Sequence, residues 1–171
     1  MPGNKTPVSV LVLIHTPALE ILLLERAAHP GFWQSVTGSR EGAEDLLETA
    51  CREVLEETGV VAAPADLVDW RLSNRYEIFP EWRHRYPAGV SHNLEHVYSL
   101  CVAPDTPVTI APSEHRLYLW LPWREAADKV FSWSNRDAIL MLAPVVVPGV
   151  LAPVVGSGVL SLPQDDAGDA C

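Results

Sequence analysis

Residues 38–60 read GSREGAEDLLETACREVLEETGV, and Glu53, Glu56 and Glu57 crowd its closing turns. Like charges three and four apart on a helix repel by about a few tenths of a kcal/mol per pair. The run is therefore either a solvated acidic face or a place where something offsets the repulsion. Leu47, Ala50 or Cys51, Val54 and Thr58 follow the spacing of a buried helical stripe, so a helix is expected over 44–58. Glu53 and Glu57 stack one above the other, and Glu56 shares their arc, away from that stripe. Gly59 stands where a helix end wants a left-handed residue. A hard divalent cation, Mg²⁺ or Mn²⁺, would turn the repulsion into chelation and keep positions open for water and phosphate.

Upstream, Gly38 is expected to begin a loop that ends at Glu44 in the first helical turn, where an acid favours the helix dipole. Glu44 and Arg52 are eight apart, a long gap for a simple pair, so any bridge between them is expected to involve the loop backbone.

Outward from this segment, VSVLVLI (8–14) and EILLL (20–24) read as two strands of one hairpin around the turn HTPAL. FWQSVTGS (32–39) reads as a short strand running into the glycine loop. Strands follow at 66–79, 95–103 and 115–122, with a basic loop PEWRHRYPAGVSHN between the first two. A short helix is expected at 123–129 and a last one at 132–142, with Ser132 or Ser134 as its cap. Interleaved strands and helices give an α/β class with a mixed sheet. The domain is placed at 1–142. Residues 143–171, rich in Pro and Gly, are expected to be a flexible tail. The span from Asp137 to Asp165 carries no charge between its ends, which raises a membrane helix, but Pro144, Pro148 and Pro153 argue against one.

The chain of 171 residues carries a net charge of −10, which disfavours a nucleic-acid polymer as partner and leaves a small phosphate substrate that needs a metal or local cations. Cys51, Cys101 and Cys171 form no framework, and no cleavable signal is read at the start, so a reducing cytoplasm is expected.

Gly38, Glu44, Arg52-Glu53, Val54, Glu56-Glu57, Gly59 and Val60 stand at every fixed position of the Nudix box, and over residues 5–142 the chain resembles that hydrolase family. The resemblance implies an α/β/α sandwich and Mg²⁺- or Mn²⁺-dependent hydrolysis of diphosphate bonds. It makes Glu53 and Glu57 metal ligands and Glu56 a further ligand or metal-water partner. Glu44 and Arg52 would hold the loop and helix together. Further segments, FWQSVTGS, EIFPEWRHRYPAGVSHNLEH, SEHRLYLWL and SWSNRDAI, are similar to the dihydroneopterin triphosphate pyrophosphohydrolases within the family. That narrower resemblance implies that Glu114 is an extra metal ligand. It also implies that Lys5, Arg26, Thr37, Tyr76, Glu77, Ile78, Phe79 and Ser132 contact a triphosphate substrate.

Each residue also has a plain reading. Phe79 fits a core position as well as a stacking platform, and Arg83, His84 and Arg85, read as assisting the substrate from a mobile loop, fit a solvated basic loop equally well. Glu114 fits a surface acid and Ser132 a helix cap, while Trp33, Trp70, Trp120 and Trp133 are read as packing. The proton from the attacking water is assigned to Glu56 or Glu114. A different Nudix specificity, such as (d)NTPs, and a non-catalytic Nudix-fold binder are the competing readings.

Overall fold

The computed structural model describes residues 5–146. The run 8–14 becomes β1 (Val8–His15), a strand whose residues from Ser9 onward are all buried. It is buried because it is covered on both faces: Val10, Val12 and Ile14 point to one apolar cluster and Leu11 and Leu13 to the other. A near-continuous apolar run is what such a strand requires. It lies parallel to β6 (His92–Cys101) from Val8↔Leu94 to His15↔Cys101.

β2 (Glu20–Arg26) follows β1 as expected, but the two pair only at His15↔Ile21. Beyond that point the hairpin splays, and residues 33–39 fill the opening. They form two strands rather than one. β3 (Trp33–Gln34) pairs with β2 through Leu24 and Glu25, and β4 (Val36–Ser39) pairs with β1 from Val12 to Ser9. Gly38 therefore lies inside β4, opposite Val10, and does not open the loop as expected. β5 (Leu67–Glu77) runs antiparallel to β6 with an irregularity between Asp69 and Ser73, and β7 (His115–Pro122) runs antiparallel to β2. The seven strands make one mixed sheet.

α1 (Leu46–Thr58) covers one face through Ala50 and Val54, which pack on Val10, Val12 and Val36. α2 (Trp123–Lys129) and α3 (Trp133–Val146) cover the other through Ala126, Ile139 and Leu142. The result is the expected α/β/α layering. Ser132, not Ser134, caps α3: its Oγ accepts from Asn135 N at 3.4 Å. The helix also passes the expected end at 142 and continues through Pro144 to Val146, because Leu142 and Ala143 are fully buried against the sheet. Residues 147–171, which hold most of the expected tail and of the uncharged span, lie outside the described residues. No helix among the described residues is long and apolar enough to cross a membrane.

Both ends of α1 are closed by its own sequence. Asp45 is the N-cap, and its Oδ1 accepts from Glu48 N at 2.8 Å while Glu48 Oε2 accepts from Asp45 N at 2.8 Å. Glu44 thus precedes the helix instead of occupying its first turn. At the other end Gly59 adopts φ 69° and donates its N–H to Leu55 O at 2.9 Å. A Cβ there would also sit 3.2 Å from Thr109 Cβ. Gly59→Ala is expected to lower unfolding free energy by about 1–2 kcal/mol, the cost of a left-handed L-residue, as read from urea denaturation.

Candidate active site

Arg52 organises the acidic segment. Its Nε donates to Glu44 Oε1 at 2.7 Å and its Nη2 to Glu44 Oε2 at 3.0 Å, a forked pair on one carboxylate. The same Nη2 reaches Ser39 O at 3.0 Å. Nη1 donates to Glu53 Oε1 at 2.7 Å and Glu56 Oε2 at 3.2 Å. The expected contact of Arg52 with the backbone of residues 38–43 is present at Ser39 O, and the expectation that the gap to Glu44 is long for a simple pair is corrected. Glu44 sits before the helix, so the loop folds back and no span of two turns has to be bridged. Arg52 pulls the Glu44 carboxyl down to about 2, and the acids around Arg52 raise its own pKa, led by Glu44.

The other acids are not a solvated face. Glu53 is 8% exposed and Glu57 2%, while Glu56 is open to solvent. Burial, opposed by the Arg52 hydrogen bond and assisted by Glu57, raises the Glu53 carboxyl to about 7. Burial also raises Glu57, against the pull of His115. The room for Glu53 comes from Gly38, where a Cβ would lie 1.8 Å from Glu53 Cδ. The glycine is required by this close approach, not by a loop conformation.

His115 was not singled out from the sequence. It is 2% exposed and its Nε2 lies 3.2 Å from Glu57 Oε2. Glu57, exposed Glu114 and His115 each bring a ligand atom within 4.8 Å of the others. Glu57 Oε2 and both His115 ring nitrogens are buried without hydrogen-bond partners. Buried polar atoms are rarely left so, and this set of carboxylate oxygens with one imidazole fits a divalent cation.

These groups line one wall of a cavity of about 770 Å³. Lys5, Arg26 and Arg85 line it too. Burial is the larger cause that lowers the pKa of Lys5 and Arg26, and Arg85 is the next. Three cations in one cavity make it chemically suited to an anionic group. Of the basic run, only Arg85 faces the cavity. Arg83 is tied to Glu77 and to Ile78 O, and His84 to Glu81 O.

Thr37, Tyr76, Glu77, Ile78, Phe79 and Ser132 also line the cavity. Phe79 is 48% exposed and is not core. Trp133, read as packing, is 50% exposed and lines the cavity. Trp82 and Phe131 were missed. Trp82 packs edge-on against Phe79 at 5.0 Å between centroids and lies 5.3 Å below the Arg26 guanidinium. Lone aromatics outside a periodic pattern give no signal in sequence, and only the contact reveals them. Glu44 and Gly59 stand outside the cavity, in supporting positions.

A NUDIX domain model matches residues 5–142. The chain is 42% identical over 138 residues to the dihydroneopterin triphosphate diphosphatase of Escherichia coli K12, covering 79% of this chain and 91% of that protein. The protein of the same name from Haemophilus influenzae is 36% identical, with coverage of 81% and 89%. The solved structure of the E. coli dihydroneopterin triphosphate pyrophosphohydrolase superposes with a TM-score of 0.75 at 39% identity, covering 81% of this chain and 95% of that one. A C. elegans Ap4A hydrolase superposes at 0.63 with 16% identity over 81% and 96%, a likeness of fold alone.

Two outcomes follow from the buried acids. A carboxyl raised from 4.5 to about 7 binds its proton more tightly in the folded state, so its contribution to stability is present below about 4.5 and is lost as pH rises to 7. In EDTA, the melting temperature of the wild type is expected to fall relative to Glu53→Gln between pH 5 and 8, and Mn²⁺ to restore it at pH 8. Gly38→Ala is expected to displace the Glu53 carboxylate. Calorimetric titration should then show Mn²⁺ affinity reduced by about 10–100-fold, with a melting temperature close to wild type.

Proposed function

The chain belongs to the NUDIX family and is a hydrolase of small phosphate compounds, and from that premise we propose that it hydrolyses 7,8-dihydroneopterin triphosphate to the monophosphate and pyrophosphate, a step of folate biosynthesis. The observation that carries the reading is one cavity lined both by buried carboxylates and by Lys5, Arg26 and Arg85. That charge pattern suits a polyphosphate attached to a flat ring.

Family members use divalent metals, and Mg²⁺ or Mn²⁺ is the proposed ion. Glu53, Glu57, Glu56 and Glu114 would hold it, with the His115 imidazole beside Glu57. When bound, such an ion screens phosphate charge and acidifies a water. The chain's own residues supply the rest. Arg52, fixed by Glu44, orients Glu53 and Glu56. Lys5, Arg26 and Arg85 bind the phosphates and hold the chain in line. Glu56 and Glu114 are the exposed carboxylates at the acidic wall, and one of them takes the proton from the attacking water. Thr37 and Ser132 offer hydroxyls, and Tyr76, Phe79 and the Glu77–Ile78 backbone form the side that meets the ring.

A panel of dihydroneopterin triphosphate, dATP, 8-oxo-dGTP and NADH, with products identified, tests the reading. Pyrophosphate release is expected to be fastest from the pterin and to stop in EDTA. Faster turnover of a nucleotide would move the assignment to another specificity within the family. Glu57→Gln keeps the shape and removes a buried charge, so kcat/KM is expected to fall by more than about 100-fold while the far-UV spectrum and melting temperature stay near wild type.

A further inference from the structure

The strand that carries His115 to the acidic wall does so through a break in its register. β7 pairs with β2 residue for residue from Glu20↔Pro122 to Glu25↔Leu117, and then Arg26 meets His115. Arg116 is the extra residue of a β-bulge. The bulge decides which way His115 faces. Partners across a ladder share a face of the sheet, and the faces alternate along each strand. Leu22, Leu24 and Trp120 pack toward α1, whereas Ile21, Leu23 and Leu121 pack toward α2 and α3. Arg26 follows Leu24 on the α1 side, and in an unbroken ladder its partner there would be Arg116. His115 would then face away from Glu57. With Arg116 left out of the count, His115 takes the place beside Arg26, and its Nε2 comes within 3.2 Å of Glu57 Oε2. Bulges next to active sites re-aim side chains in this way.

Glu25 holds the bulged residue. It is 7% exposed and does not line the cavity. Its Oε2 lies 3.3 Å from Arg116 Nε, and its Oε1 accepts from Gly31 N at 2.7 Å. The bond to Gly31 closes the turn after β2, from which Ala27 N donates to Glu114 O at 2.8 Å. One carboxylate thus ties down both the bulge and the turn that grips Glu114. We propose that Glu25 is a positioning residue: it holds Arg116 out of the ladder, so that Glu114 and His115 meet Glu57 and complete the divalent-cation site. The inference rests on the proposed metal-dependent reading of that site. It separates metal from substrate, because the Arg26 side chain has an anchor of its own, its Nη1 donating to Gln34 Oε1 at 2.9 Å. Loss of the clamp therefore loosens the metal ligands and leaves the phosphate-binding cations in place.

The test measures Mn²⁺ affinity by calorimetric titration, and kcat and KM for dihydroneopterin triphosphate at saturating Mn²⁺, with the full chain. In Glu25→Ala, Mn²⁺ affinity is expected to fall by about 10-fold, the scale of loss when a group that orients metal ligands is removed. KM at saturating Mn²⁺ is expected to stay within about twofold of wild type. Glu25→Gln keeps an acceptor for Gly31 but loses the charge that holds Arg116, and its Mn²⁺ affinity should fall between the two. Adding Arg116→Ala to Glu25→Gln should weaken Mn²⁺ no further, because the two residues act as one clamp. Arg116 is half exposed, so Arg116→Ala reads the clamp even where Glu25→Ala does not fold. Wild-type Mn²⁺ affinity in Glu25→Gln and Arg116→Ala, with Glu57→Gln weakening it, would overturn the role of Glu25 and leave the metal site standing. A fall in Mn²⁺ affinity matched by a rise in KM and a drop in melting temperature would mean a general loosening of the fold, and would overturn it too. If Glu57→Gln binds Mn²⁺ as tightly as the wild type, the metal reading itself fails and takes the proposal with it.

Discussion

Arg52 places two nitrogens on Glu44 and a third on Glu53, and that one guanidinium ties the loop after β4 to the acidic helix. The value of the contact is geometric more than energetic. Partly exposed ion pairs stabilise a fold by about 1 kcal/mol or less, but the planar fork of arginine fixes direction as an ammonium would not. Glu44 is held again by Thr49 Oγ1 at 3.0 Å and by Glu41 N at 3.2 Å. With Glu44 fixed and the guanidinium locked, Glu53 has one place to go, against the bare backbone of Gly38.

The sheet explains why that place exists. β1 and β2 part after His15↔Ile21, and β3 and β4 fill the opening with one strand pairing each side. Gly38 faces Glu53 of α1, and Gly38, Thr37 and Ser9 all line the cavity. His115, at the start of β7 next to β2, brings its imidazole to Glu57 from the other side. The acidic wall is thus assembled from a helix, a strand inserted in a split hairpin and the first residue of a distant strand.

The cavity shares the acidic balance of the chain, −10 overall, yet it also gathers cations. Lys5, Arg26 and Arg85 come together in the cavity, and Lys5 and Arg26 are desolvated and further weakened by their neighbour Arg85. Neither the buried acids nor the clustered cations lower the free energy of the empty fold. In the proposed function, a metal would bring charge to the one and a phosphate to the other.

From residues alone, the spacing between Gly38 and Val60 determined the helix, its left-handed end at Gly59, the apolar stripe of Ala50 and Val54, and the identity of the acids. These follow from rules that act within one or two turns, so a linear reading reaches them. The central strand was equally legible, since a strand buried on both faces has to be apolar throughout. Tertiary structure alone decided that Glu53 and Glu57 are buried and Glu56 is not, that Glu44 meets Arg52 directly, and that Arg85 rather than Arg83 faces the cavity. It also brought His115, Trp82 and Glu95 to the cavity, and carried α3 through Pro144. In each of these the deciding partner is distant in sequence or lies across a turn whose path local propensity does not set, and only packing of the sheet brings the two together.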